Sequence, residues 1–333
     1  MNWKLIGLAG LAVAAGAGTF GAVSCGDDDS GSGLTNVTLM LDWTPNTNHA
    51  GIYIAKANGW YADEGINLKI VEPAQGGVEQ IVAADKAEFG ISIQEAVIPA
   101  RAEGIPIISV GAIIQHNLSS LMSLQSEGIT RPRDLEGKTY GGFGGALETA
   151  LIEQLVRCDG GDPGKVKFVE VGNIDYLVGM EQGQFDFVWI FEGWDGVRAR
   201  EVEKKPISTL QFKDYLNCIP DWYTPVIITS EKVARDKPDV VRKFMAATAK
   251  GYEVANKDGA ASAKALLDAA PESDETLVNA AAAFHVGKYV DAGRKWGTQD
   301  EAIWASFTAF LKSAGLIDKD IDVKAAYTNE FLP

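Results

Sequence analysis

The sequence has few residues that could support metal or thiol chemistry. Only three of its 333 residues are Cys and only three are His. His49, His116 and His285 lie far apart, and neither Cys158 nor Cys218 has a Cys or His partner at a spacing typical of metal sites. We therefore expect no metal site and no cofactor. The two cysteines could pair after export or remain buried thiols, and free thiols are our prediction.

A surplus of basic residues is also missing. The chain has 30 Lys and Arg residues against 45 Asp and Glu residues, which gives a formal net charge of −15. No basic stripe is visible, although a protein that binds nucleic acid needs one. The charge pattern therefore excludes a nucleic-acid partner, and we interpret the acidity as a contribution to solubility.

The first acidic residue of the chain is Asp27, and a short apolar stretch precedes it. This layout predicts a secretory signal peptide over residues 1–24 rather than a membrane span. The sequence AVSC at 22–25 is similar to a bacterial lipobox, so we expect Cys25 to carry lipid and 25–34 to form a polar tether. The protein would then be exported and anchored to the outer face of the cell membrane. The alternative is a plain signal peptide with an incidental cysteine.

The body of the chain alternates between apolar runs and segments of helical period. This alternation predicts an α/β protein whose parallel sheet is covered on both faces. The predicted strands are 37–41, 66–71, 89–93, 105–114, 138–140, 166–171, 185–191 and 223–229. The predicted helices are 49–58, 78–84, 94–103, 146–155, 176–180 and a long one that starts near 236.

The pattern restarts after about residue 120, which predicts two α/β lobes. We place the crossings between them near 117–121 and 217–224. Lobe 1 would comprise 35–118 and 222–333, and lobe 2 would comprise 119–221. Two lobes that are joined by two short crossings form a hinged clamp, with a binding site in the cleft.

A glycine-rich turn at 141–145 follows a predicted strand and opens a predicted helix. The backbone N–H groups of Gly142, Gly144 and Gly145 could point at a phosphate or carboxylate of a ligand. A tight structural turn explains the glycines equally well. The segment before the turn is similar to the end of a P-loop motif. However, Pro132 occupies the position of the first glycine of that motif. We therefore exclude nucleotide hydrolysis.

Polar and aromatic residues cluster at the predicted strand ends, where open α/β sheets bind ligands. Rings that stack and amides or carboxylates that contact a ring edge suit a flat heteroaromatic ligand. The tryptophans could instead be core or lobe-packing residues. The candidate ligand-binding residues of these ends are Asp42, Trp43, Asn48, His49, Ser92, Gln94, Glu95, His116, Trp189, Glu192, Trp222 and Tyr223.

Several long strings of this sequence resemble the periplasmic-binding-protein family of thiamine-pyrimidine precursor receptors. They are LDWTPNTNH at 41–49, GG at 76–77, FGISIQE at 89–95, QHN at 115–117, DLEGK at 134–138, WIFEGW at 189–194, YTPVIIT at 223–229 and TNEFLP at 328–333. The resemblance implies a type II periplasmic-binding-protein fold with two α/β lobes and a two-crossing hinge. It also implies capture of formylaminopyrimidine or hydroxymethylpyrimidine for an ABC permease. We expect the protein to be a monomer. Riboflavin is the alternative ligand within the same family.

The superfamily of these precursor receptors also contains the fungal thiamine-pyrimidine synthase, which is an enzyme. The pyridoxal lysine of that enzyme falls on Ser92 here, and its donor histidine falls on Ala96. Its cysteine-rich segment falls on 219–223, which has no cysteine. Without the lysine no Schiff base can form, so we expect a binding protein and not an enzyme.

The resemblance and the residue types together suggest a role for each candidate. Trp43 would stack on the ligand ring together with Trp222 or Tyr223. Glu192, with its carboxylate projecting into the cleft, would accept a hydrogen bond from an exocyclic amine, or it would instead pair with a nearby arginine such as Arg198. The ring edge would be contacted by Asn48, Gln94, Glu95 and His116, and the 141–145 turn would close over the ligand.

Overall fold

A computed structural model of the protein describes residues 33–73, 77–172 and 174–333. Within them the chain forms ten strands, numbered in chain order. They are β1 (Thr35–Met40), β2 (Ile66–Val71), β3 (Phe89–Ser92), β4 (Ile107–Ala112), β5 (Ser119–Leu124), β6 (Thr139–Gly142), β7 (Lys167–Glu170), β8 (Phe187–Phe191), β9 (Ile207–Gln211) and β10 (Val226–Ser230). The predicted signal peptide 1–24, Cys25 and most of the tether lie outside the described residues.

The strands form two five-stranded sheets, in the orders β2-β1-β3-β10-β4 and β7-β6-β8-β5-β9. Strand β1 pairs in parallel with β2 and β3, and β6 pairs in parallel with β7 and β8. However, β10 runs antiparallel to β3 and β4, and β5 runs antiparallel to β8 and β9. The expectation of a parallel sheet is therefore corrected to two mixed sheets. Strands β5 and β10 enter their sheets directly from the crossings, so no helical crossover forces them to be parallel.

Helices cover the faces of both sheets. They are α1 (Ala50–Ala57), α2 (Trp60–Asp63), α3 (Val78–Ala83), α4 (Gln94–Ala102), α5 (Ala146–Cys158), α6 (Tyr176–Glu181), α7 (Glu231–Asp236), α8 (Pro238–Ala255), α9 (Gly259–Ala269), α10 (Glu275–His285), α11 (Glu301–Ser313) and α12 (Val323–Ala326). Two consecutive π-helical segments, Glu192–Gly196 and Arg198–Val202, follow β8. None of the described helices is both long and apolar enough to span a bilayer.

The long helix α8 shows how the sequence pattern produces the packing. It begins with Pro238, whose fixed φ and missing N–H suit a first turn. Its apolar stripe, which includes Phe244 and Tyr252, is buried as the helical period predicted. The helix crosses α1 so closely that a Cβ on Gly251 would lie 1.8 Å from the carbonyl oxygen of Gly51. Glycine at 251 is therefore required by the contact between these helices.

Cys158 at the end of α5 and Cys218 in the second crossing form a disulfide, with their Cα atoms 5.6 Å apart. The prediction of free thiols is therefore wrong. The two residues are 60 positions apart in the chain, and only the packing of the second crossing against α5 brings them together.

The two sheets are joined by two stretches of chain. One runs from β4 to β5 over residues 113–118, and the other runs from β9 to β10 over 212–225. Because β1, β3, β6 and β8 end on the sides of the sheets that face each other, the loops after them enclose the space between the lobes.

Candidate functional site

A cavity of about 320 Å³ lies between the two sheets. Lobe 1 contributes the loop after β1, the residue after β3 and the end of the second crossing. Lobe 2 contributes the loop after β6, the start of α6, the end of β8 and the π-helical segments. The lining residues are Asp42, Trp43, Asn46, Asn48, Ile93, Met122, Phe143, Ile174, Asp175, Tyr176, Leu177, Phe191, Trp194, Asp195, Arg198, Thr224 and Pro225.

Aromatic rings from both lobes wall the cavity. Trp43 of lobe 1 is 51% exposed, while Phe143 and Phe191 of lobe 2 are 55% and 41% exposed. These large apolar side chains are only partly covered by the described residues, and exposed apolar surface gathered in one place marks a binding site. Tyr176 and Trp194 add two partly buried rings. Rings on opposite lobes can enclose a flat ligand between them.

Among the described lining residues, three carboxylates face a single guanidinium. Arg198 donates from Nη2 to Asp175 at 2.6 Å and to Glu203 at 3.2 Å, so its charge is already paired within the protein. Burial raises the pKa of Asp195 to about 6, partly offset by a backbone N–H donated from Phe191. The cavity wall is therefore net acidic.

A buried histidine supports the carboxylate of Asp42. His49 Nε2 lies 2.8 Å from Asp42 Oδ1, and the backbone N–H of Asn46 donates to His49 Nδ1 at 3.2 Å. The imidazole is fully buried, whereas the Asp42 side chain is 26% exposed towards the cavity. The hydroxyl of Tyr252 donates to the carbonyl oxygen of Asn48 at 2.7 Å and stabilises the same loop.

Three of the predicted ligand-binding residues line the cavity, namely Asp42, Trp43 and Asn48. They come from the LDWTPNTNH string, which forms the loop between β1 and α1. His49, from the same string, lies behind this loop and contacts Asp42 rather than the cavity. The loop after β1 is thus the part of the cavity wall for which sequence and structure agree best.

The glycine-rich turn contributes to the cavity differently from the prediction. The backbone N–H groups of Phe143 and Gly145 both donate to the carboxylate of Glu148, at distances of 2.9 to 3.2 Å. Gly142 is buried, and Gly144 has a φ of 79°, which a glycine adopts without strain. The turn therefore binds its own glutamate, and it lines the cavity with the Phe143 ring instead of its amides.

Three predicted aromatic residues belong to the core or pack against it, and they do not line the cavity. Trp222 is fully buried and stacks on Phe307 of α11, with ring centroids 4.8 Å apart. Trp189 packs edge-on against Trp222 at 6.0 Å. The Tyr223 hydroxyl accepts a hydrogen bond from the Asp300 backbone N–H at 2.9 Å. Trp222 and Tyr223 are therefore not positioned to stack on a ligand.

Glu192 does not project into the cleft, contrary to the expectation from its place after an apolar strand. Its carboxylate is buried and accepts hydrogen bonds from Arg200 Nη1 and from Ser120 Oγ, both at 2.7 Å. Arg200, two residues beyond Arg198, is the arginine that it pairs with. The π-helical backbone that follows β8 turns the Glu192 side chain inward and presents Trp194 and Asp195 to the cavity instead.

Ser92 and Gln94, at the end of β3, make hydrogen bonds within the protein. The Ser92 hydroxyl donates to Glu79, and Gln94 Oε1 accepts from the Tyr223 backbone N–H at 2.8 Å. Glu95 does not line the cavity, and burial raises its pKa to about 7. Of this segment, Ile93 is the residue that reaches the cavity wall.

His116 lies in the first crossing and joins it to the second. Its Nδ1 is 2.6 Å from Asp221 Oδ2, and its Nε2 is 3.1 Å from Asp291 Oδ2. The hydrogen bond with Asp221 raises the pKa of His116 to about 9, with Asp291 adding to the shift. Asp221 also accepts from the Asn117 backbone N–H at 3.0 Å, so this cluster ties the two crossings together and does not line the cavity.

Sequence reasoning missed most of the lobe 2 wall. Asp175 and Tyr176 stand at the start of a short predicted helix, but neither shows a pattern that distinguishes it from an ordinary N-cap. Trp194 belonged to the WIFEGW string, which could have led to its neighbour Asp195. Arg198 was considered solely as a partner for Glu192.

The fold is similar to that of two solved substrate-binding proteins. The periplasmic aliphatic sulphonate binding protein SsuA from Escherichia coli aligns with a TM-score of 0.68 at 13% identity, covering 87% of this chain and 91% of that protein. A ligand-binding component of an ABC-type import system from Staphylococcus aureus aligns with a TM-score of 0.68 at 14% identity, covering 89% and 97%. The chain therefore has the two-lobed fold of periplasmic binding proteins.

Two relatives by sequence differ in what they do. A formylaminopyrimidine-binding protein from Halalkalibacterium halodurans is 27% identical over 313 residues, which cover 91% of this chain and 92% of that protein. A 4-amino-5-hydroxymethyl-2-methylpyrimidine phosphate synthase from Legionella pneumophila is 26% identical over 309 residues, covering 90% and 93%. A binding protein and an enzyme are thus both related to this chain over nearly its whole length.

The comparison with protein families gives one assignment. A family described as NMT1/THI5 like matches residues 46–261, which include most of the cavity wall. The match confirms the resemblance that the LDWTPNTNH, FGISIQE and WIFEGW strings indicated. This chain belongs to the NMT1/THI5-like family.

Proposed function

We propose that this protein captures an aminopyrimidine of the thiamine-precursor class, such as formylaminopyrimidine or hydroxymethylpyrimidine, and delivers it to an ABC permease. The observation that carries the proposal is the cavity between the lobes, which combines exposed aromatic rings with unpaired acceptor capacity. Its relative from Halalkalibacterium halodurans, a formylaminopyrimidine-binding protein, supports the same ligand class.

The charge of the cavity favours an amine-bearing ligand. Asp42, Asp175 and Asp195 line it, and the guanidinium of Arg198 is already held by carboxylates of the protein. An aminopyrimidine offers an exocyclic amine beside a ring nitrogen, and a carboxylate accepts both groups when the ring nitrogen is protonated. An anion such as a sulfonate would meet net repulsion in the same space.

The size of the cavity favours a single ring. Small-molecule sites range from roughly 300 to 1,000 Å³, and a cavity of about 320 Å³ lies at the lower end of that range. We expect one pyrimidine ring to lie between Trp43 of lobe 1 and Phe143 or Phe191 of lobe 2, which all line the cavity. Riboflavin, with three fused rings and a ribityl chain, is the weaker candidate because it needs more space.

Capture rather than catalysis fits the groups around the cavity. Within the described part of the chain, no lysine, cysteine or histidine lines it. Ser92, the position on which the resemblance places the pyridoxal lysine of the synthase, donates its hydroxyl to Glu79 and does not line the cavity. Without an amine to form a Schiff base, the synthase chemistry has no starting point in this cavity.

The lobes 35–118 with 222–333 and 119–221 would close on the ligand about the two crossings. A ligand that contacts Trp43 on one lobe and Phe191 on the other favours the closed state by its difference in affinity for the two states. We further propose that the chain acts as an exported monomer, anchored through lipid on Cys25. Replacement of Cys25 by serine should then abolish labelling with a radioactive fatty acid, and retained labelling would place the anchor elsewhere.

Calorimetric titration tests the ligand assignment. We expect 4-amino-5-hydroxymethyl-2-methylpyrimidine to bind more tightly than riboflavin, and an alkanesulfonate not to bind. Asp42→Asn should weaken the pyrimidine by about 10- to 100-fold, because a hydrogen bond to a charged acceptor contributes about 1.5–3 kcal/mol. Asp63→Asn, an exposed carboxylate on α2, is the control and should change nothing. Tighter binding of riboflavin or the sulfonate would contradict the proposal.

A further inference from the structure

The hydrogen bonds around His49 assign its protonation. The Asn46 backbone N–H donates to Nδ1 at 3.2 Å, so this nitrogen is an acceptor and carries no proton. The remaining proton is on Nε2, which donates to Asp42 Oδ1 at 2.8 Å. A neutral ring in the Nε2–H tautomer therefore faces the carboxylate.

This tautomer is held by buried structure. His49 is 0% exposed, and it ends the 3₁₀ turn Thr47–His49 that leads into α1. The hydroxyl groups of Tyr252 and Tyr289 donate to the backbone carbonyl oxygens of Asn48 and Thr47, at 2.7 and 2.6 Å. A flipped ring would leave the Asn46 N–H without its acceptor in a buried place, and an unsatisfied buried donor is unfavourable.

The N–H donor of His49 determines which hydrogen bonds Asp42 can make towards the cavity. The Nε2–H group donates to Asp42 Oδ1, and a carboxylate can accept hydrogen bonds but has none to donate. Among the described residues, no other hydrogen bond is made to the Asp42 carboxylate, so its remaining acceptor capacity is available to the cavity that it lines.

We propose that His49, which does not line the cavity, is a specificity-determining positioning residue that makes Asp42 an obligate acceptor for a ligand N–H. The inference rests on the proposed function, since it takes Asp42 as the group that meets the ligand amine. The ligand class that this pair selects carries N–H donors on its ring edge. Ring edges that present acceptors alone are rejected, because they would face an acceptor across the contact.

A matched pair of probes separates this role from simple support of the fold. The probes are 4-amino-2,5-dimethylpyrimidine and 2,5-dimethylpyrimidine, which differ in the exocyclic amine. We expect the wild-type protein to prefer the amine at least about tenfold. His49→Phe keeps a ring but removes the donor, and it should lower this preference to about threefold or less by weakening the amine alone. His49→Gln, which restores an N–H donor, should recover most of the preference.

A double-mutant cycle tests whether His49 acts through Asp42. If it does, His49→Phe combined with Asp42→Asn should bind the amine no more weakly than Asp42→Asn alone, because the two changes remove one interaction. Additive losses would overturn the inference. Equal weakening of both probes by His49→Phe would also overturn it, since a residue that supports only the fold acts on both.

Two further outcomes keep the inference distinct from the proposed function. If the wild-type protein binds both probes equally, the aminopyrimidine assignment itself fails. If it prefers the amine and His49→Phe keeps that preference, the aminopyrimidine assignment stands and the role of His49 falls. Nitrogen-15 spectra of the wild-type imidazole need no variant: they should show the Nε2–H tautomer, and the Nδ1–H tautomer would refute the geometry.

Discussion

Replacing Glu192 with glutamine should lower stability and leave ligand affinity unchanged. The carboxylate accepts from Arg200 and Ser120 at 2.7 Å and is 4% exposed, whereas the Arg200 side chain is 37% exposed. Loss of a fully buried ion-pair partner costs about 3–5 kcal/mol, but solvent screens Arg200. We therefore expect a loss of about 1.5–3 kcal/mol in the free energy of unfolding, which corresponds to a fall of roughly 5 °C in Tm.

The assays are urea denaturation and calorimetric titration of the same preparations. Glu201→Gln in the following π-helical segment is the matched control: its exposed pair with Lys204 should change stability by less than about 0.5 kcal/mol. Asp42→Asn should give the reverse pattern, with weakened aminopyrimidine binding and a small change in stability. A Glu192→Gln protein with unchanged stability, or with tenfold weaker binding of the pyrimidine, would refute the reasoning.

Reduction of the bond between Cys158 and Cys218, which closes a 60-residue separation, should cost about 4 kcal/mol of stability. An unchanged urea midpoint with dithiothreitol would contradict this. The pKa of His116 is raised to about 9 in the folded protein, so its contribution is complete below about pH 6.5 and is lost as pH rises through 9. Because the ring is half-exposed, we expect the wild-type protein to lose about 1 kcal/mol of unfolding free energy between pH 6 and pH 9.5. The His116→Gln variant should show no such loss. Gly251→Ala should cost about 3 kcal/mol or more through its clash with α1, while Glu253→Ala, exposed on the same helix, should unfold like the wild-type protein.

Local hydrophobic periodicity was sufficient to predict most of the strands and helices. The apolar run at 66–71 is strand β2 with the same bounds, and the predicted helices at 78–84 and 94–103 are α3 and α4 within one residue. Strands β5 and β9 were missed, since SSLMSL contains as many polar as apolar residues and ISTLQ contains more polar than apolar residues. Their position in the middle or at the edge of a sheet depends on neighbours that are distant in the chain.

In the candidate site, too, the sequence predicts some features and only the tertiary structure decides the others. Trp43 and Trp222 each stand beside an aspartate near a strand, and the sequence treats them alike. In the structure Phe307 of α11 covers Trp222, whereas no described core cluster includes Trp43. Asp42 and Glu192 likewise both come at the end of a strand, yet the backbone after β8 turns Glu192 towards Arg200. A side chain's direction after the last residue of a strand is set by the turn that follows, and a residue type alone does not encode it.

By itself, the sequence determined the α/β character, the two-lobed arrangement, the family and the loop after β1 as a candidate for the cavity wall, because these depend on local periodicity and on long contiguous strings. Tertiary structure alone decided the antiparallel strands β5 and β10, the pairing of Cys158 with Cys218, and the acidic wall that Asp175 and Asp195 form. Each of these depends on contacts between residues that are far apart in the chain, and whether a polar or aromatic group is covered or left facing a cavity is settled only when the elements pack.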